Sequence, residues 1–206
     1  MKTVIFFMSI LTAMNVAVSE ATPSPEAVVA VRTYNYAALP IGQLAEAKSE
    51  ARHIFRTAGI SVEWIDCRVP GGDEGAACTE PLLAGRDLML RLVDRTPAEG
   101  ERIVALGESM LDRERRGGVL MTIDVSPARS VAARAFTSIS TLLGRAVAHE
   151  IGHLLLGSAE HPRLGLMRAL WSHDELRGIK PAHWGFSARE AAQMRQTLRG
   201  TSPTAD

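Results

Sequence analysis

The stretch HEIGHLLLGSAEH, residues 149–161, brings three histidines and two glutamates into one short span. On an α-helix, positions four apart differ by about 40° around the axis, so His149 and His153 share a face with their rings one turn apart. Two imidazoles in that arrangement can hold one zinc ion at about 2.0–2.1 Å. Glu150 lies about 100° further round, too far to join them as a ligand, but placed to hydrogen-bond a water on the metal and take its proton. Catalytic zinc sites commonly use three protein ligands and leave the fourth position open, so a third ligand is required. His161, Glu160, His173, Asp174, Glu175 and His183 are the candidates downstream. The competing reading is a buried helix whose two histidines only satisfy core hydrogen bonds.

Such a pair of ligands needs a rigid support. Around it, Ile139, Leu142, Leu143, Ala146, Val147, Ile151, Leu154 and Leu155 recur at helical spacing and predict a central, well-buried helix. The helical pattern starts near Ser130, and Gly157 fits its C-cap. Upstream, strands are predicted at Val28 to Tyr34, Ser61 to Cys67, Asp87 to Val93 and Val119 to Val125, the last stopped before Pro127. A helix from Pro40 to Gly59 separates the first two, an order that argues for a parallel pair. Ile103 to Leu111 reads equally as a short strand or a helical turn, and DRERRGG, from Asp112 to Gly118, as a solvated charged loop. Ser187 and Glu190 in SARE form a capping box for a final helix through Leu198.

Composition narrows the setting. The 206 residues are 46% hydrophobic, enough for one domain with a real core. The chain carries 23 basic and 23 acidic residues, so no charge excess points to a nucleic acid or an anionic membrane. Residues 1–21, MKTVIFFMSILTAMNVAVSEA, combine an early lysine, a short apolar run and small residues before a cleavage point, the pattern of a secretory signal peptide. The expected mature chain starts near Thr22, is secreted or periplasmic, and keeps no stable membrane insertion. Cys67 and Cys78, the two cysteines, then meet an oxidising compartment and are expected to pair. Nothing in the sequence fixes an oligomeric state.

At HEIGHLLLGSAEH the sequence resembles the metzincin metalloproteases, whose pattern is H-E-x-x-H-x-x-G-x-x-H followed by a methionine-containing turn. His149, Glu150 and His153 match outright, Gly157 comes one residue late, and His161 two residues late in total; Met167, in LGLMRA, stands for the turn methionine. The resemblance implies Zn2+ on His149, His153 and His161, Glu150 as general base, and Met167 beneath the metal. The extra residue before Gly157 rotates the helix exit by about 100°, and the one after it has to bring the ligand back. Glu175, in SHDELRG, is the rival third ligand of a thermolysin-like arrangement, with Gly178 and Pro181 following too soon for a long helix.

The fold implied is α+β: a metzincin-like zincin with a twisted mixed sheet, a backing helix, a central active-site helix and a small C-terminal lobe. One domain, residues 22–206, divides into an upper lobe of about 28–157 and a lower lobe of about 158–206. By the same analogy Val119 to Val125 is the edge strand lining the cleft, where a polypeptide substrate pairs by β-augmentation. Tyr34 and Tyr36 are the only tyrosines, so no tyrosine follows Met167 to help polarise a carbonyl. The function expected is a secreted zinc-dependent endopeptidase. The alternatives are a non-proteolytic zinc-holding module, suggested by the shifted spacing, and a zinc hydrolase of non-peptide amides or esters. Trp171, Trp184 and Phe186 are expected to pack the small lobe rather than line the cleft.

Overall fold

The computed structural model describes residues 27–67, 75–83, 85–95, 105–112, 117–180 and 183–200; the expected signal peptide, residues 1–21, lies outside them. Alternating β-branched residues form β1 (Ala27–Asn35), with Val29 and Val31 fully buried. Pro40 leads into α1 (Ile41–Thr57), which buries Ala47, Ala51, Ile54 and Phe55 along one stripe. Gly59, at φ 71°, then turns the chain into β2 (Ile60–Cys67), which runs parallel to β1 with Ala27 opposite Ile60. The short α2 (Ala76–Thr79) is tied to the end of β2 by the Cys67–Cys78 disulfide, whose Cα atoms lie 5.7 Å apart. In β3 (Asp87–Val93), Leu88, Leu90 and Leu92 all point into the core.

β4 (Gly107–Asp112) and β5 (Gly117–Asp124) pair antiparallel, while β2, β1, β3 and β5 are mutually parallel, in the order β2-β1-β3-β5-β4. The edge strand beside the predicted active-site helix is therefore β4, and the expected assignment of Val119 to Val125 to the edge is corrected. The reason is visible in burial. Met121, Thr122, Ile123 and Asp124 are consecutively buried, as a strand covered on both faces must be, whereas β4 alternates half-buried and exposed positions. The ambiguous Ile103 to Leu111 is thus strand over its described part from Gly107.

A second correction concerns the long helix. The helical pattern from Ser130 divides into α3 (Val125–Ala135) and α4 (Ile139–Leu156). Pro127 does not end structure but sits in the first turn of α3, where its missing N–H costs nothing. Phe136 then takes the left-handed conformation at φ 49°, closing α3 with bonds back to the Ala132 and Ala133 carbonyls. The Ser138 side chain accepts from the Thr141 N–H and opens α4. The rest of the chain holds the short α5 (His173–Leu176) and α6 (Ala188–Gly200), the latter opened by the expected Ser187–Glu190 capping box.

α4 packs on β4 and β5 and crosses α1, which backs β2. The α1–α4 crossing is close because Gly144 lacks a side chain: a Cβ there would stand 2.6 Å from the Ala47 carbonyl oxygen. α6 closes the far side of α4, with Met194 and Leu198 buried, and Phe186 just before it lies 5.1 Å from Phe55 between ring centroids.

Candidate metal centre

His149 and His153 leave the same face of α4, as their spacing requires. Their Nε2 atoms are 2.9 Å apart, and His161 brings its own Nε2 to 3.3 Å from His149 and 3.2 Å from His153. A tetrahedral zinc with nitrogens at about 2.0–2.1 Å sets those nitrogens about 3.3–3.4 Å from one another, so the triangle fits the ion. Among the described residues this trio is the group of potential ligands that converges on one point.

The protons are placed to leave that point electron-rich. His149 donates from Nδ1 to the Leu166 carbonyl at 3.0 Å, and His153 from Nδ1 to the Ser158 carbonyl at 2.7 Å. Carbonyls accept only, so each ring carries its proton on Nδ1 and turns an Nε2 lone pair inward. Two lone pairs facing each other at 2.9 Å repel unless a cation lies between them. Burial also pushes the His149 imidazole down to about 4, opposed by the Leu166 carbonyl and assisted by His153 and His161. His153 is lowered by burial as well. Both rings are therefore kept in the neutral form that binds metal.

The shifted spacing is absorbed locally. α4 runs one residue further than the motif anticipates, to Leu156, and Gly157 at φ 62° reverses the chain while its N–H and that of Ser158 cap the His153 carbonyl. Ser158 then turns its own carbonyl back onto His153, and the Glu160 N–H bonds the Ser158 hydroxyl at 3.1 Å. That compact turn returns His161 to the other two histidines, on the exposed side of the site.

The other candidates do not join that cluster. Glu175 pairs with Arg168 and closes the capping box of α5 with Ser172, and Asp174 pairs with Lys180. His173 opens α5, and the His183 ring lies over Gly185. Met167 is buried directly under α4: its Sδ stands 2.6 Å from where a Cβ on Gly152 would be. The preceding Leu166 donates its N–H to Gly185 and accepts from both His149 and the Trp171 indole N–H at 3.3 Å, which anchors the turn beneath the histidines.

Glu150 is 6% exposed, and its Oε2 accepts a 2.7 Å hydrogen bond from the Ser109 hydroxyl on β4. Burial pushes its carboxyl up to about 7, with the Ser109 bond pulling the other way and the Glu108 charge adding to the rise. His149, Glu150, His153 and His161 open onto one cavity of about 530 Å³, walled by the β4 edge on one side and by Arg168, Leu170 and Trp171 on the other. Trp171 therefore lines the cleft, edge-on to His149 with ring centroids 5.8 Å apart, contrary to the expectation that it only packs the lobe. Phe186 is buried against Phe55, while Trp184 is half-buried under the Arg145 guanidinium at 4.0 Å. Sequence reasoning missed Ser109 and the two backbone carbonyls, since no spacing in the chain relates them to the helix.

No protein-family model matches the chain, and no curated protein matches it in sequence. In structure it is similar to a zinc-dependent peptidase from Methanocorpusculum labreanum, at 13% identity and a TM-score of 0.53, over 80% of this chain and 99% of that one. The two chains share a fold. An archaemetzincin from Methanopyrus kandleri is also similar, at 16% identity and a TM-score of 0.49, over 86% of this chain and 99% of that one. The α+β architecture, with a five-stranded mixed sheet among the described residues and a long central helix, is thus one on which a zinc-dependent peptidase is built.

Proposed function

We propose that the protein is a secreted zinc-dependent endopeptidase of metzincin-like design, with the metal on His149, His153 and His161. The observation that carries the reading is the convergence of three imidazole nitrogens within 3.3 Å, on His149, His153 and His161, beside a buried carboxylate in a cavity of about 530 Å³. The shared fold with a zinc-dependent peptidase supports it. Zinc held there supplies Lewis acidity, which activates water at neutral pH and polarises a carbonyl.

The chain's own groups supply the remaining steps. Glu150 takes a proton from the attacking water and returns it to the leaving amine, reached from a helix position next to, but not among, the ligands. Among the described residues β4 is the outermost strand of the sheet, and an extended peptide would pair along it, over Gly107 to Leu111, as an added strand. Met167 and the Leu166 carbonyl form the floor under the site, fixing the His149 ring. No tyrosine follows Met167 in the sequence, so a bound zinc would have to polarise the carbonyl without a phenol of this chain beside it.

Export belongs to the same proposal. The leader-like residues 1–21 support it, and so does the Cys67–Cys78 disulfide, a feature of oxidising compartments. Among the described residues no helix is long and apolar enough to cross a membrane. The mature chain, residues 22–206, is read as one domain with the cleft between a lobe of about 28–157 and a lobe of about 158–206. The test is digestion of a mixed peptide library by the zinc-loaded chain. Internal cleavage that stops with a chelator and returns with zinc is expected, and intact peptides at comparable enzyme and substrate concentrations would remove the peptidase reading in favour of a zinc-holding module or a hydrolase of other amides and esters.

A further inference from the structure

We infer that Ser109 is a positioning residue that holds the Glu150 carboxylate at the β4 wall of the metal-centre cavity, in a slot that Gly107 keeps open. The inference rests on the peptidase reading above and adds to it how the general base is aimed. A helix fixes where the Glu150 Cβ points, but three further torsions remain free, so α4 alone cannot set the position of the carboxylate.

The edge strand sets it instead. Gly107 and Ser109 are two apart on β4 and share its half-buried face, while Glu108 and Met110 point outward. The Ser109 hydroxyl lies 2.7 Å from Glu150 Oε2 and 2.9 Å from the backbone carbonyl oxygen of the same residue. The one hydroxyl proton goes to either oxygen or is shared between them, so Ser109 lies within reach of both ends of Glu150. Gly107 governs the other oxygen: a Cβ there would stand 2.9 Å from Glu150 Cγ and 3.0 Å from Oε1, as well as 2.6 Å from Ile123 Cδ1. Any larger residue at 107 would push the carboxylate out of the slot. The strand proposed to bind the substrate backbone therefore also aims the base, so both reactants are referred to one rigid element.

The experiment uses the full chain labelled with 13C at glutamate carboxyl carbons, metal-free and at one fixed pH, with the Glu150 resonance identified by its loss in Glu150→Gln. Ser109→Ala should move that resonance and Ser109→Thr, which keeps the hydroxyl, should return it. In the zinc-loaded protein, Ser109→Ala should lower kcat about ten- to a hundredfold with KM and zinc content unchanged, and Ser109→Thr should recover most of the loss. A resonance that Ser109→Ala leaves in place, or an unaltered kcat, overturns the inference. A wild type that cleaves no peptide, while the resonance still moves and returns, overturns the peptidase reading alone and leaves the hold of Ser109 on Glu150 established.

Discussion

Glu150 and His149 are sequence neighbours, yet the helix sends them to different tasks: one ring to the point where three nitrogens meet, one carboxylate to the β4 side of the same cavity. The division predicts the behaviour of Glu150→Gln. The amide is isosteric and is not a ligand, so zinc should stay bound at the wild-type ratio, while hydrolysis should fall about a hundred- to ten-thousandfold through loss of the general base. Metal content and steady-state rates measured on the same sample check both halves. At this scale the sequence is legible wherever chemistry follows helical spacing, as for His149, Glu150 and His153. It is opaque where a partner is a backbone atom, such as the carbonyls of Ser158 and Leu166, or a side chain brought in by sheet register, such as Ser109.

The elements work by rigidity and close approach. α4 is buried on nearly all sides, so the histidines it carries have little freedom, and the crossing that holds it against α1 depends on Gly144. Gly144→Ala would improve helix propensity by about 1 kcal/mol, but its Cβ would meet the Ala47 carbonyl, part of a helix backbone that cannot step aside. The overpacking should win, leaving a net loss of about 1–2 kcal/mol, seen as a lower urea midpoint with an unchanged slope. Strand and helix types were readable from their periods, including the alternation of β3. The edge position was not: VLMTIDV lacks clean alternation because β5 is covered on both faces, and only the parallel pairing of β5 with β3 reveals it as an inner strand. The break between α3 and α4 was missed for a similar reason. Phe136 in a left-handed conformation has no propensity signal, and the Thr137–Ser138 pair that reopens the helix was the one local clue.

For the whole molecule, the Cys67–Cys78 disulfide and the proposed metal add to what the packed core supplies. Cys67 and Cys78 enclose a short loop, with a sequence separation of 11. On the loop-entropy argument, replacing both by serine should cost about 3 kcal/mol. Unfolding in urea with and without reductant checks this: reductant should destabilise the wild type and leave the double variant unchanged. The fold class and the pairing of the cysteines follow from sequence because strand, helix and cysteine patterns are local. Which of six downstream residues would complete the site depended instead on the path of residues 157–161, where the late glycine and the late histidine offset one another.

The central claim, a zinc held by three histidines across that turn, is tested most directly by zinc content. The mature chain, purified without added metal and then equilibrated with zinc, should hold about one ion per molecule. Glu175→Ala should hold as much, because Glu175 is spent on Arg168 and the α5 cap, whereas His161→Ala should lose the ion. A wild type that binds no zinc, or a His161→Ala variant that keeps it while Glu175→Ala does not, would contradict the account.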